Sequence, residues 1–106
     1  MSYRFMRVLV MFDLPVQTSD EQKQYRYFRK YLISSGFMMM QESIYCKLAL
    51  NQGAAMHIAN AVKRNKPKSG LVQILTVTEK QFSKMEFLVG KPDKEVIDTD
   101  ERLVIL

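Results

Sequence analysis

Val8-Leu9-Val10-Met11-Phe12-Asp13-Leu14-Pro15 is the stretch from which the rest of the sequence is read. Its five leading apolar residues, two of them β-branched, mark a buried strand. The run stops at an acid, Asp13, and Pro15 brings no N–H with which to extend a ladder. Side chains alternate along a strand, so Arg7, Leu9, Met11 and Asp13 share one face while Met6, Val8, Val10 and Phe12 share the other. The second set is wholly apolar and is expected to meet helices. The first mixes charge with apolar bulk, which predicts a surface that is neither plain solvent nor plain core.

Downstream, Ser19 offers an N-cap, with Asp20 and Glu21 in the first turn where acids favour the helix dipole. A helix is expected from Asp20 to Ser35, ended by Gly36 at the position after the cap. Tyr25, Phe28, Tyr31 and Leu32 form its sheet-facing stripe, and Lys23, Arg26, Arg29 and Lys30 occupy the opposite arc, interrupted by Ile33. Strands follow at Phe37–Gln41 and Ser43–Leu50. In the latter, Ser43, Tyr45, Lys47 and Ala49 resemble the mixed face of the first strand. Asn51 caps a second helix, Gln52 to Asn65, whose inward stripe is Ala55, Ile58, Ala59 and Val62. Lys63, Arg64, Lys66 and Lys68 gather at and beyond its end, before Pro67 and Gly70 stop it.

A fourth strand spans Leu71 to Thr78, and Thr78 with Gln81 has capping-box spacing for a short helical turn. Met85–Val89 is expected as a further short strand, 90–100 as a polar loop, and Leu103–Leu106 as a terminal edge strand. The order βαββαβ with extra C-terminal strands predicts an α+β, ferredoxin-like fold in one domain over residues 1–106. Two helices cover only one face of such a sheet. The other would present Leu9, Met11, Tyr45, Leu71, Leu75 and Val77 beside Arg7, Asp13, Lys47 and Gln73. That face is too apolar for water, which predicts a sheet-to-sheet homodimer.

Composition narrows the function. With 47% hydrophobic and 25% charged residues the chain is globular rather than disordered. No apolar run is long enough to span a bilayer, no secretory signal is visible, and a single cysteine, Cys46, cannot form an internal disulfide. The expectation is a cytoplasmic protein with no membrane partner. The net charge of +5 is unevenly spread: 13 Lys/Arg against 5 Asp/Glu in residues 1–84, and 3 against 6 in residues 85–106. A basic body points to a polyanion, and the acidic C-terminal segment to a protein contact. The eight clustered cations, Lys23, Arg26, Arg29, Lys30, Lys63, Arg64, Lys66 and Lys68, are the candidate phosphate contacts, blind to base sequence. The plainer alternative is a pair of solvated helix faces, since cations at a helix C-terminus are favourable on their own. Base stacking is not expected, because the tyrosines fall mostly on core or interface faces. His57 is read as a lone exposed residue, Cys46 as a packed small hydrophobe, Met38–Met40 as filler, and Ser43 as lacking any nucleophile's partners.

Phe12-Asp13-Leu14-Pro15, Phe28-Arg29-Lys30-Tyr31-Leu32, Gly36-Phe37, Gln41, Ser43-Ile44-Tyr45 and Val77-Thr78-Glu79-Lys80-Gln81-Phe82 together resemble the CRISPR-associated protein two family, most closely its type II-A members. That family supplies the small subunit of the spacer-acquisition complex. The resemblance covers nearly the whole chain and is weakest over 91–101. It implies a ferredoxin-like homodimer that bridges dimers of the integrase subunit, CRISPR-associated protein one. Double-stranded prespacer DNA would lie across the assembly before insertion into the repeat array. Isolated members of the family are described as metal-dependent nucleases in which the acid ending the first strand holds Mg²⁺. That acid corresponds to Asp13, which the resemblance therefore makes the catalytic and metal-binding candidate. Many members carry Tyr before this acid; here Phe12 removes any phenol hydroxyl.

A Mg²⁺ site uses one or two carboxylates with waters and substrate phosphate, and no second acid lies near Asp13 in sequence. A two-fold axis would supply the partner's Asp13. Paired carboxylates equally raise a pKa, or an arginine neutralises them, with no metal involved. Three rivals to the adaptor reading stand: a stand-alone Mg²⁺-dependent endonuclease acting on DNA or RNA, a toxin-like ribonuclease of the similar virulence-associated family, and a metabolite-binding regulatory module. The last lacks a Gly-rich ligand loop. Neighbouring genes would separate the others, since an integrase gene and a repeat array favour the adaptor.

Overall fold

The computed structural model describes residues 5–90. Four strands, β1 (Met6–Asp13), β2 (Met38–Gln41), β3 (Ile44–Ala49) and β4 (Leu71–Thr78), form one antiparallel sheet in the order β2-β3-β1-β4. Helix α1 (Ser19–Ser34) links β1 to β2, and α2 (Gln52–Arg64) carries the chain from β3 across β1 to β4. Helix α3 (Glu79–Phe82) follows β4 directly. This is the expected split βαβ arrangement, with the strongly apolar β1 paired on both edges, to β3 and to β4.

On the helix side, Val8, Val10 and Phe12 pack against Phe28 and Leu32 of α1 and Ala55 and Val62 of α2. The local signals that hold these helices are visible atom by atom. Thr18, one residue earlier than expected, caps α1: its Oγ1 accepts from Glu21 N at 3.1 Å and Glu21 Oε1 accepts from Thr18 N at 3.0 Å. Glu21 takes the place of N3, its carboxylate accepting where an acid in the first turn is also favoured by the helix dipole. It also takes Gln17 N at 3.0 Å, while the Gln22 amide turns to Val16 O. Helix α1 ends in a Schellman turn. Gly36, at φ 96°, donates to Ile33 O, and Phe37 N donates to Leu32 O. Asn51 caps α2 through Ala54 N as expected.

Two expectations fail. Tyr45, Lys47 and Ala49 point to the helices, because the register sets Tyr45 opposite Val10, Lys47 opposite Val8 and Ala49 opposite Met6. Residues opposite one another in a ladder share a face. Tyr45 is fully buried, its ring stacked 5.7 Å from that of Phe12, and its hydroxyl has no hydrogen-bond partner among the described residues. Lys47 Nζ reaches the carbonyl of Ser35. Secondly, Met85–Val89 is not a strand. Met85 N bonds Phe82 O as the chain leaves α3, and the apolar residues beyond it have no ladder partner among the described residues. The expected terminal strand at 103–106 lies outside the described residues.

The second sheet face is also less open than expected. Helix α3 folds onto it, so that Phe82 packs with Leu9 and Cys46, joined by Met40 and Val77. Met40 lies on the same side of β2 as Met38, which pairs with Cys46, and the register shifts between Met39 and Gln41. Leu71 and Leu75 remain about half exposed on that face, at 54% and 51%. No helix among the described residues is long and apolar enough to cross a membrane.

Candidate nucleic-acid interface

Lys23, Arg26, Arg29 and Lys30 all stand exposed on the outer side of α1, opposite the Phe28 and Leu32 anchors. Lys63 and Arg64 occupy the last turn of α2, where the helix dipole favours cations, and Lys66 Nζ bonds back to the carbonyl of Lys63 at 3.3 Å. The packing of α1 beside the end of α2 then unites residues that are some forty positions apart. Lys23, Gln24 and Tyr27 form one wall of a cleft of about 430 Å³ whose other wall is Arg64, Lys66, Pro67 and Lys68. Four cations and no acid line it. On the far side of α1, Arg26, Arg29 and Lys30 line a second groove with Ile33, Met39 of the edge strand β2 and Glu42. Lys63 alone of the eight cations lines neither. Among the described residues, none of the eight makes a salt bridge.

Asp13 ends β1 opposite Leu71 and is exposed. Its backbone is fixed by Gly70, at φ 95°, where an added Cβ would sit 2.7 Å from Leu14 Cδ2 and 3.0 Å from Asp13 O. No group of three His, Cys, Asp or Glu able to hold a metal stands together among the described residues. Exposed Asp13 offers a Mg²⁺ ion one carboxylate, the fewest such an ion uses beside waters and substrate phosphate.

Sequence reading missed the charge pair that organises the opposite face. Arg7, fully buried, donates Nε to Glu79 Oε1 at 2.6 Å and Nη2 to Oε2 at 3.1 Å. Its Nη1 lies 3.7 Å from Cys46 Sγ and its guanidinium 4.5 Å above the Phe82 ring. An arginine in an apolar strand signals a buried carboxylate somewhere, because an isolated buried charge is costly. Sequence does not say that the partner sits 72 residues away.

Residues 6–85 match the family model described as CRISPR associated protein Cas2. The chain belongs to the Cas2 family. A Treponema denticola protein named CRISPR-associated endoribonuclease Cas2 is 54% identical over 101 residues, covering 95% of this chain and 100% of its own. A Streptococcus mutans protein of the same name (strain UA159) is 48% identical over 101 residues, covering 95% of this chain and 93% of its own. A solved structure described as "Crystal structure of cas2" superposes with a TM-score of 0.56, over 85% of this chain and 92% of the other, at 20% identity. At that identity the likeness speaks for the fold, and it agrees with the α+β sheet order above. The family resemblance carried by Phe12–Pro15 and the motifs after it is thus correct, and the Cas2 match also spans both basic segments.

Proposed function

We propose that this Cas2 family member is the DNA-positioning subunit of a CRISPR adaptation integrase. A homodimer, one domain per chain and acting in the cytoplasm, bridges CRISPR integrase subunits and holds double-stranded prespacer DNA for insertion into the repeat array. The observation that carries the reading is the cleft of Lys23, Arg64, Lys66 and Lys68, four cations from α1, the end of α2 and the loop after it, with no acid in the lining. Such a surface suits a polyphosphate backbone and offers no pattern for reading base edges. Arg26, Arg29 and Lys30 extend the positive surface around α1, and Lys63 adds to it from α2. The half-exposed Leu71 and Leu75 suit a sheet-to-sheet contact between copies.

A second reading is favoured by the endoribonuclease names of the relatives. In it, Asp13 from each of two copies would hold a Mg²⁺ ion for cleavage of RNA or DNA, whether as a free endonuclease or a toxin-like ribonuclease. The exposure of Asp13 at a strand end is compatible with that role. One experiment separates the readings. The chain is co-purified with its integrase subunit, and integration of a prespacer into a repeat-containing plasmid is measured for wild type and Asp13→Ala. The adaptor reading expects co-purification and undiminished integration by the variant. Loss of integration with dimer and assembly intact would favour the Asp13 chemistry. Failure to co-purify would overturn the adaptor role.

A further inference from the structure

Helix α1 carries three tyrosines, and the fold uses only two of them. Tyr25 packs edge-on to Phe12, with centroids 6.2 Å apart, and Tyr31 lies 6.5 Å from Phe28 with the rings 20° from parallel. Both are half-buried and packed against the core cluster. Tyr27 is 69% exposed. It lines the cleft of Lys23, Arg64, Lys66 and Lys68, and also the adjoining hollow formed with Lys30, Tyr31, Ser34 and Asn65.

We infer that Tyr27 is a stacking platform for an unpaired nucleobase held at the edge of the cationic cleft. The inference rests on the nucleic-acid reading of that cleft and adds a preference to it. Phosphate contacts hold single and double strands alike, whereas a ring face is useful only to a base that has left its own stack. An exposed ring flanked by cations on both sides meets both needs, because the cations take the backbone while the ring takes the base. Stacking of this kind tolerates any base, and either sugar can carry it, so the ligand class is a single-stranded segment of DNA or RNA. The surface would then favour a strand end, a gap or a splayed terminus over uninterrupted duplex. The proposal departs from the expectation that base stacking plays no part here, and it does so at one residue, whose place on the wheel lies between the inward stripe and the basic arc.

The test uses the full chain and two variants, Tyr27→Ala and Tyr27→Phe. Binding is measured at one fixed salt concentration to oligothymidylate, to oligouridylate and to a blunt DNA duplex of the same length. Because the ring is exposed, the melting temperature should not move. Tyr27→Ala should weaken binding to single strands by about 5- to 150-fold, the worth of one stacked base. Blunt-duplex affinity should be unchanged, and Tyr27→Phe should behave as wild type. A loss seen with only one of the two single strands would identify that strand as the ligand and support the inference. Wild-type affinity of Tyr27→Ala for both single strands, or an equal loss on the blunt duplex, would overturn the stacking role and leave the cationic cleft standing. Failure of the wild-type chain to bind any of the three probes would overturn both.

Discussion

Arg7 and Arg64 carry the same guanidinium into opposite surroundings. Arg7 is walled in on the α3 side of the sheet, with two bonds to Glu79, a thiol at 3.7 Å and a ring beneath it. Arg64 stands exposed on the helix side, in a cleft where every other charge is also positive. A buried cation with a matched acid is committed to the fold. A row of exposed cations with no acid among them gains nothing from its neighbours, since like charges repel, and gains a great deal from a polyanion. Charge of one sign therefore has two meanings in this molecule, and the partner atoms decide which applies.

That division can be broken at the buried pair first. Glu79→Ala should cost about 3–5 kcal/mol, because it removes the carboxylate that takes two hydrogen bonds from the buried Arg7 guanidinium. Chemical denaturation would read this as a lower midpoint at unchanged slope. The double variant Arg7→Met/Glu79→Leu should recover most of that loss, because the pair as a whole is worth little more than well-packed apolar side chains. If Glu79→Ala proved harmless, Arg7 would not depend on its pairing. On the other side, Lys23→Ala/Lys68→Ala should shift stability by no more than about 0.5 kcal/mol, the usual range for exposed sites without special contacts. A larger loss there would mean that the cleft charges also hold the helices together.

How far the sequence carries differs between the two sides. Strand β4 at Leu71–Thr78, the N-cap of α1, expected at Ser19 and found at Thr18, and the turn begun by Thr78 are local signals, read within four to eight residues. They are legible to within a residue. The side on which Tyr45 lies is not local. Alternation divides β3 into two sets, but only its register against β1 says which set meets the helices. Met85–Val89 has the composition of a strand and lacks, among the described residues, the neighbour that a strand needs. The cations of the interface are all visible in the sequence as clusters. What sequence does not supply is the approach of α1 to the end of α2, which joins Lys23 to Arg64, Lys66 and Lys68 and leaves Lys63 outside. The pairing of Arg7 with Glu79 is hidden for the same reason.

The central claim, that the cleft cations meet nucleic-acid phosphates without reading sequence, is tested most directly by a salt titration. Affinity for two duplexes of unrelated sequence is followed against salt concentration for wild type, Lys23→Ala/Lys68→Ala and Lys63→Ala. Each phosphate left without its cation should reduce the slope of log K against log salt by about 0.9, so the double variant should flatten it by about 1.8 on both duplexes alike. Lys63→Ala, on the same positive surface but outside both grooves, should flatten the slope by less than one cleft cation does. A double variant with unchanged slope and affinity would contradict the account and make these charges a solvated helix face.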